Sequence, residues 1–152
     1  MKDNSLKTIE LEMTVLVRRI ASITANLNEK QERMDRSAYL LLNQLAVEGT
    51  AGVKTLATTL QLDISTVSRQ VAALEQKGYI KKTPNPEDGR AYFYHPTELG
   101  LSEWTKYKQM RVDKLSALLQ TWSEEDCEQF GKLLNKFNHS VTEYYCSPST
   151  KK

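Results

Sequence analysis

The stretch from Val53 to His95 constrains the fold more than any other part of this chain. Leu56, Ala57 and Leu60 recur at helical spacing, so a short helix there has one apolar face. Ala57 is small where two crossing helices must approach. Leu62 and Ile64 then bracket a turn and are expected to point inward. Asp63 or Ser65 can cap a second helix, because a short oxygen side chain accepts from the free N–H groups of a first turn. Val67, Val71 and Leu74 stand at i, i+4 and i+7 and form its buried face. Gly78 follows, where a helix ends with φ > 0. One residue departs from the usual pattern. Such turns often place glycine four residues after the small alanine, and Gln61 occupies that position here. A non-glycine residue held in the left-handed region costs about 1 kcal/mol.

A hairpin comes next. Residues 79–83 (Tyr-Ile-Lys-Lys-Thr) and 91–95 (Ala-Tyr-Phe-Tyr-His) are rich in β-branched and aromatic side chains, as strands are. Between them, Pro84-Asn85-Pro86-Glu87-Asp88-Gly89-Arg90 cannot be helix. Two prolines and a glycine predict a stiff, protruding loop. Two helices, a tight turn and a hairpin in this order make a winged helix-turn-helix, which presents its second helix to a DNA major groove.

The outer face of the second helix carries Ser65, Thr66, Ser68, Arg69 and Gln70. These donors and acceptors suit base edges. Arg69 is the best single candidate, because a guanidinium forks onto O6 and N7 of guanine. A solvated polar face is the default for such a helix in isolation; the turn and hairpin beside it favour DNA contact. Lys54 and Thr55, at the start of the first helix, and Lys82, on the first strand, extend the expected contact set. Arg90 at the loop's far end is expected to enter the narrow, negative minor groove. Asp88, two residues earlier, is expected to hold its guanidinium.

These residues resemble the MarR family of bacterial transcriptional regulators. The resemblance rests on Leu-Ala-Thr-Thr-Leu, then Ser-Thr-Val-Ser-Arg-Gln-Val, then Leu-Glu-Gln-Lys-Gly-Tyr-Ile leading into the wing, then Asp88-Gly89-Arg90, and Pro-Thr-Glu-Leu-Gly opening the next helix. It covers most of the chain. The family usually carries a charged residue where this sequence has Gly89, which makes the tip more pliable. The resemblance implies a cytoplasmic homodimer, most often a repressor, that binds double-stranded DNA at a two-fold-symmetric site. It also implies release of DNA on binding a small-molecule effector or on oxidation.

Charge and length agree. The chain has 152 residues and a net charge of +2, so it is no general polycation. A local basic surface on a near-neutral protein suits specific DNA binding better than indiscriminate coating. There is no apolar run of membrane-spanning length and no apolar leader after Met1, so a soluble, intracellular protein with no membrane partner is expected.

The flanks predict the rest. Residues 5–30 place Leu6, Ile9, Met13, Leu16, Val17, Ile20, Ile23 and Leu27 on one helical face. Asp35 can cap a helix carrying Tyr39, Leu42 and Leu45 that stops near Gly49. Thr97 can cap a long helix through Leu101, Trp104, Tyr107, Leu115, Leu118 and Leu119. Ser123 with Asp126 resembles a capping pair and opens a last helix with Phe130, Leu133, Leu134, Phe137, Val141 and Tyr144. A winged module needs about 70 residues, so the long first and last helices lack an obvious partner within it. Their apolar stripes are expected to pack on a second copy, with two reading helices about 34 Å apart. The alternative is that both termini fold back on their own subunit.

The expected fold is therefore mainly α with a small β-wing, a winged helix-turn-helix flanked by long dimerisation helices. Residues 1–34 form the N-terminal dimerisation helix, 35–96 the DNA-binding module, 97–146 the C-terminal helices and 147–152 a tail. No cofactor, metal site or enzyme activity is expected. His95 and His139 lack ligand neighbours at helical spacing, no Gly-rich phosphate loop occurs, and no nucleophile has a recognisable base. Two other functions are weighed. A winged-helix scaffold that binds protein predicts an apolar or acidic reading face, against Ser65, Thr66, Ser68 and Arg69. A thiol-based redox regulator needs a reactive cysteine. Cys127 lies in the first turn of the last helix, where the dipole lowers a thiol pKa, but Glu124, Glu125 and Asp126 oppose that. With Cys146 it reads as one of two unreactive thiols, and the count excludes a disulfide framework. Tyr39, Trp104 and Tyr107 can line a ligand crevice but are equally accounted for as core, the favoured reading; no ligand-binding residue is assigned.

Overall fold

The computed structural model describes residues 2–28 and 34–146, without the side chains of residues 23–28. The expected positions of Ile23 and Leu27 and the expected tail after residue 146 lie outside what it describes. The element order is α1 (Lys2–Asn28), α2 (Arg36–Glu48), α3 (Val53–Leu60), α4 (Ile64–Gln76), β1 (Ile80–Asn85), β2 (Asp88–Pro96), α5 (Glu98–Leu118) and α6 (Glu124–Cys146). The fold is mainly helical with one two-stranded antiparallel wing. No described helix is long and apolar enough to cross a membrane.

The chain divides into two compact units, Met1–Tyr107 and Lys108–Lys152, and α5 runs through the boundary. The core of the first unit holds the apolar positions expected from periodicity in α3 and α4 and Leu42 and Leu45 of α2, and adds Leu41 and Ile80. Leu41, Leu42 and Leu45 of α2, Leu56 of α3, Val67 of α4 and Ile80 of β1 are fully buried. Val71 and Leu74 complete the inner face of α4, and Ala57 lets α3 approach it. Tyr39, Trp104 and Tyr107 pack on this core, with the two tyrosine rings 5.1 Å apart.

The caps fall where short oxygen side chains precede an apolar pattern. Asp35 accepts from the Ala38 amide at 2.8 Å, and the Ser123 hydroxyl accepts from that of Asp126 at 3.1 Å. Thr97 does more. Its hydroxyl accepts from the Gly100 amide at 3.0 Å and donates to the Gly78 carbonyl at 2.6 Å, so it ties the start of α5 to the end of α4. The approach is so close that a Cβ on Gly100 would sit 2.0 Å from the Tyr79 carbonyl oxygen. Gly78 closes α4 with φ 80°, and Gln61 closes α3 with φ 57°, ψ 45°.

Two expectations fail. Leu62 and Ile64 do not point inward; they are 39% and 51% exposed. Ile64 is the first residue of α4, and Val67, one turn further in, is the first of its side chains to reach the core. The wing loop is also shorter than the prolines suggest. Pro84 and Asn85 belong to β1, and Asp88, Gly89 and Arg90 to β2, leaving Pro86 and Glu87 as the turn. Each strand of a two-stranded ribbon is an edge, where proline costs no essential ladder bond. The Asn85 side chain accepts from the Glu87 amide at 2.9 Å and closes the turn locally. Ala51, between α2 and α3, exchanges both backbone bonds with Tyr94, at 3.1 and 2.8 Å, and fastens the wing to the module.

In the second unit the Trp122 and Phe130 rings meet edge-on at 5.5 Å. No residue of α6 is buried: Phe130, Leu133, Leu134, Phe137 and Val141 are 39–59% exposed. In the first unit, Leu6, Ile9, Met13, Leu16, Val17 and Ile20 of α1 are likewise exposed, 38–67%.

Candidate nucleic-acid interface

The outer face of α4 follows from its buried one. With Val67, Val71 and Leu74 inside, a period of 3.6 turns Ser65, Ser68, Arg69, Ala72, Ala73 and Gln76 outward, and all six are exposed. Four of them are Ser or Ala, so Arg69 rises from a low surface that another body can approach closely.

Asp63 organises the start of this face. Its carboxylate accepts from the Thr66 amide at 3.0 Å, from the Thr66 hydroxyl at 2.7 Å and from the Ser65 hydroxyl. The Ser65 hydroxyl, followed by the hydroxyl and amide of Thr66, holds the Asp63 carboxyl well below the usual carboxylate range. Thr66 Oγ1 also accepts a long bond from Arg69 Nη2, at 3.4 Å.

Of the expected contact residues, Ser65, Ser68 and Arg69 share the exposed face, and Lys54 and Thr55 are exposed in the first turn of α3. Thr66 is half-buried at the edge. Gln70 is a correction. It lies next to Val71 on the flank of the inner face, half-buried, with its Oε1 out of reach of solvent. Sequence reading missed Ala72, Ala73 and Gln76, although the periodicity that placed Arg69 outward places them there too.

The wing carries the remaining residues. Pro84 pairs with Tyr92 and Asn85 with Asp88, so Gly89, Arg90 and Ala91 bulge out opposite a single step of β1. A bulge bends its strand and re-aims its side chains, and Arg90 is exposed at the centre of this one. The expected Asp88–guanidinium contact is absent. Asp88 instead accepts from the Arg90 backbone amide at 3.0 Å, so it shapes the turn and leaves the guanidinium to solvent. Lys82 is exposed but engaged: its ammonium is 3.9 Å from Glu75 Oε1 and 4.6 Å from the centre of the Tyr92 ring.

Cys127 is half-buried and Cys146 exposed, and both are free thiols. Among the described residues no three His, Cys, Asp or Glu side chains are grouped to hold a metal ion.

Comparison with known proteins gives one family. A sequence profile described as "MarR family" matches residues 34–92. An uncharacterized HTH-type transcriptional regulator of Bacillus subtilis, YxaD, is 40% identical over 89% of this chain and 94% of its own. Among solved structures, the PcaV transcriptional regulator of Streptomyces coelicolor, in complex with its natural ligand, superposes with a TM-score of 0.67 at 23% identity, over 83% of this chain and 91% of PcaV. A MarR variant from E. coli complexed with operator DNA gives 0.63 at 21%, over 83% and 95%. At these identities the solved structures speak for the fold.

Proposed function

Because the chain belongs to the MarR family of transcriptional regulators, we propose that it is a cytoplasmic homodimeric repressor that reads a two-fold-symmetric operator and releases it on binding a small molecule. The observation that carries the DNA-reading part is Arg69, exposed in the middle of a face of α4 otherwise built from small side chains. A bidentate guanidinium specifies guanine, and small neighbours let the helix axis approach the groove floor. Ser68 flanks it as a short donor, and Ser65, whose proton is given to Asp63, as a short acceptor. Lys54 and Thr55 take backbone phosphates beside it, at a helix start whose cap residue Gly52 supplies no side-chain acceptor and whose N–H groups favour anions. Arg90 reaches the adjacent minor groove from the bulge.

Dimerisation is supported by the apolar stripes of α1 and α6, which are exposed in the single chain. Monomeric proteins seldom leave patches of that kind open. The small-molecule arm is supported by the likeness to a regulator solved with its natural ligand.

The test is gel-shift binding to the DNA upstream of the protein's own gene, with unlabelled random DNA as competitor. A shift that survives the competitor and disappears for Arg69→Ala supports the reading. Equal displacement by random DNA contradicts it.

A further inference from the structure

Lys82, expected among the DNA contacts, has two partners within the chain. Its ammonium faces the Glu75 carboxylate on α4 at 3.9 Å and the face of Tyr92 on β2 at 4.6 Å, with the Lys82 and Glu75 side chains 44% and 37% exposed. The strand register accounts for the second contact. Pro84 pairs with Tyr92, and Lys82 lies two residues from Pro84 on the same face, which makes Lys82 and Tyr92 diagonal neighbours. One cation therefore bridges the reading helix and both strands of the wing. A phosphate brought to this ammonium would meet Glu75 as well, and the carboxylate would repel it.

We infer that Lys82 is a positioning residue, a strut that sets the wing against the reading helix, and that it contacts no phosphate. The inference rests on the DNA-binding reading above. The base of the wing is held to the module by the buried Ile80 and by the Ala51–Tyr94 backbone bonds, and Lys82, two residues further along β1, adds a side-chain contact to α4 nearer the tip. Arg69 and Arg90 must meet two grooves at once, so a wing already held at its bound angle loses less freedom on binding.

The experiment compares wild type, Glu75→Gln, Lys82→Met and Lys82→Arg on a duplex selected from a random library by the wild-type protein. If Lys82 is a strut, Glu75→Gln and Lys82→Met each weaken binding about 2- to 10-fold, the range of an exposed ion pair and a cation–π contact. The dependence of log K on log salt keeps its slope, and Lys82→Arg restores wild-type affinity. If Lys82 instead neutralised a phosphate, Lys82→Met would reduce that slope by about 1. Glu75→Gln would then tighten binding, because it frees a cation and removes a negative charge. Tighter binding by Glu75→Gln, or a reduced slope for Lys82→Met, overturns the inference. A second readout needs no DNA: the Tyr92 ring resonances of the free protein are expected to shift in both Glu75→Gln and Lys82→Met. Unchanged ring signals in both also overturn the strut. A wild-type protein that selects no duplex fails the DNA-binding reading, while the Tyr92 signals still decide whether the strut exists.

Discussion

Gln61 is the residue whose cost is easiest to isolate. It is the one non-glycine residue with positive φ among those described, and its amide bonds to Thr58 and Ala57 are backbone bonds that any side chain leaves in place. Gln61→Gly is expected to raise unfolding stability by up to about 1 kcal/mol, because glycine adopts the left-handed region without a Cβ clash; urea unfolding measures this, and a loss of stability would show that the glutamine side chain outweighs the strain. Gly100 makes the opposite case. A Cβ there lands 2.0 Å from the Tyr79 carbonyl, so Gly100→Ala should destabilise by about 1–3 kcal/mol or more, read in the same unfolding curves. Asp63 adds a pH dependence with a definite sign. Its folded pKa is depressed, so its contribution is present above the ordinary carboxylate value of about 4 and is lost as pH falls. Urea midpoints between pH 6 and pH 3 should therefore fall more steeply for wild type than for Asp63→Asn; parallel curves would remove the carboxylate from the acid limb. Of these three residues, the strain at Gln61 was legible because a turn needs glycine at a fixed offset from Ala57. Asp63 was one of two capping options. Gly100 was silent, since its need for a bare backbone comes from Tyr79, twenty-one positions away and set beside it only by the fold.

At the scale of elements, local chemistry was the most readable. Capping by Asp35, Thr97 and Ser123 depends on residues within one turn, and the buried faces of α3 and α4 follow from spacing alone. The wing was harder. Two prolines argue for a loop, but a two-residue turn closed by Asn85 carries the ladder to Asp88. Asp88 was expected to hold a guanidinium and instead holds an amide, because the bulge decides where Arg90 points. Glu75 had no signal at all as the partner of Lys82. The functional consequences belong to α4 and the wing. Arg69→Ala is expected to lose about 1–3 kcal/mol of operator affinity and to relax preference at one base pair in each half-site. Anisotropy titrations against all four bases at each position measure both, and equal losses on operator and random DNA would contradict a base-reading role. Arg90→Ala should weaken binding without changing the unfolding midpoint; an unchanged dissociation constant at moderate salt would take the wing out of the mechanism.

At the scale of the whole molecule, one chain leaves two apolar helix stripes in water. No rule of local structure says what covers them. With α1 in the proposed dimer interface, deleting residues 1–30 removes one stripe and is expected to leave monomer or aggregate in sedimentation where the full chain gives a dimer; a monomeric full chain would contradict that interface. Loss of the second half-site should then collapse specific binding, not halve it. Whether two copies of α4 read two half-sites is decided by selecting duplexes from a random library with the full chain. An enriched two-fold-symmetric motif is expected, with half-site centres one helical turn apart, about 34 Å. An asymmetric single half-site, or no enrichment over random DNA, would contradict it.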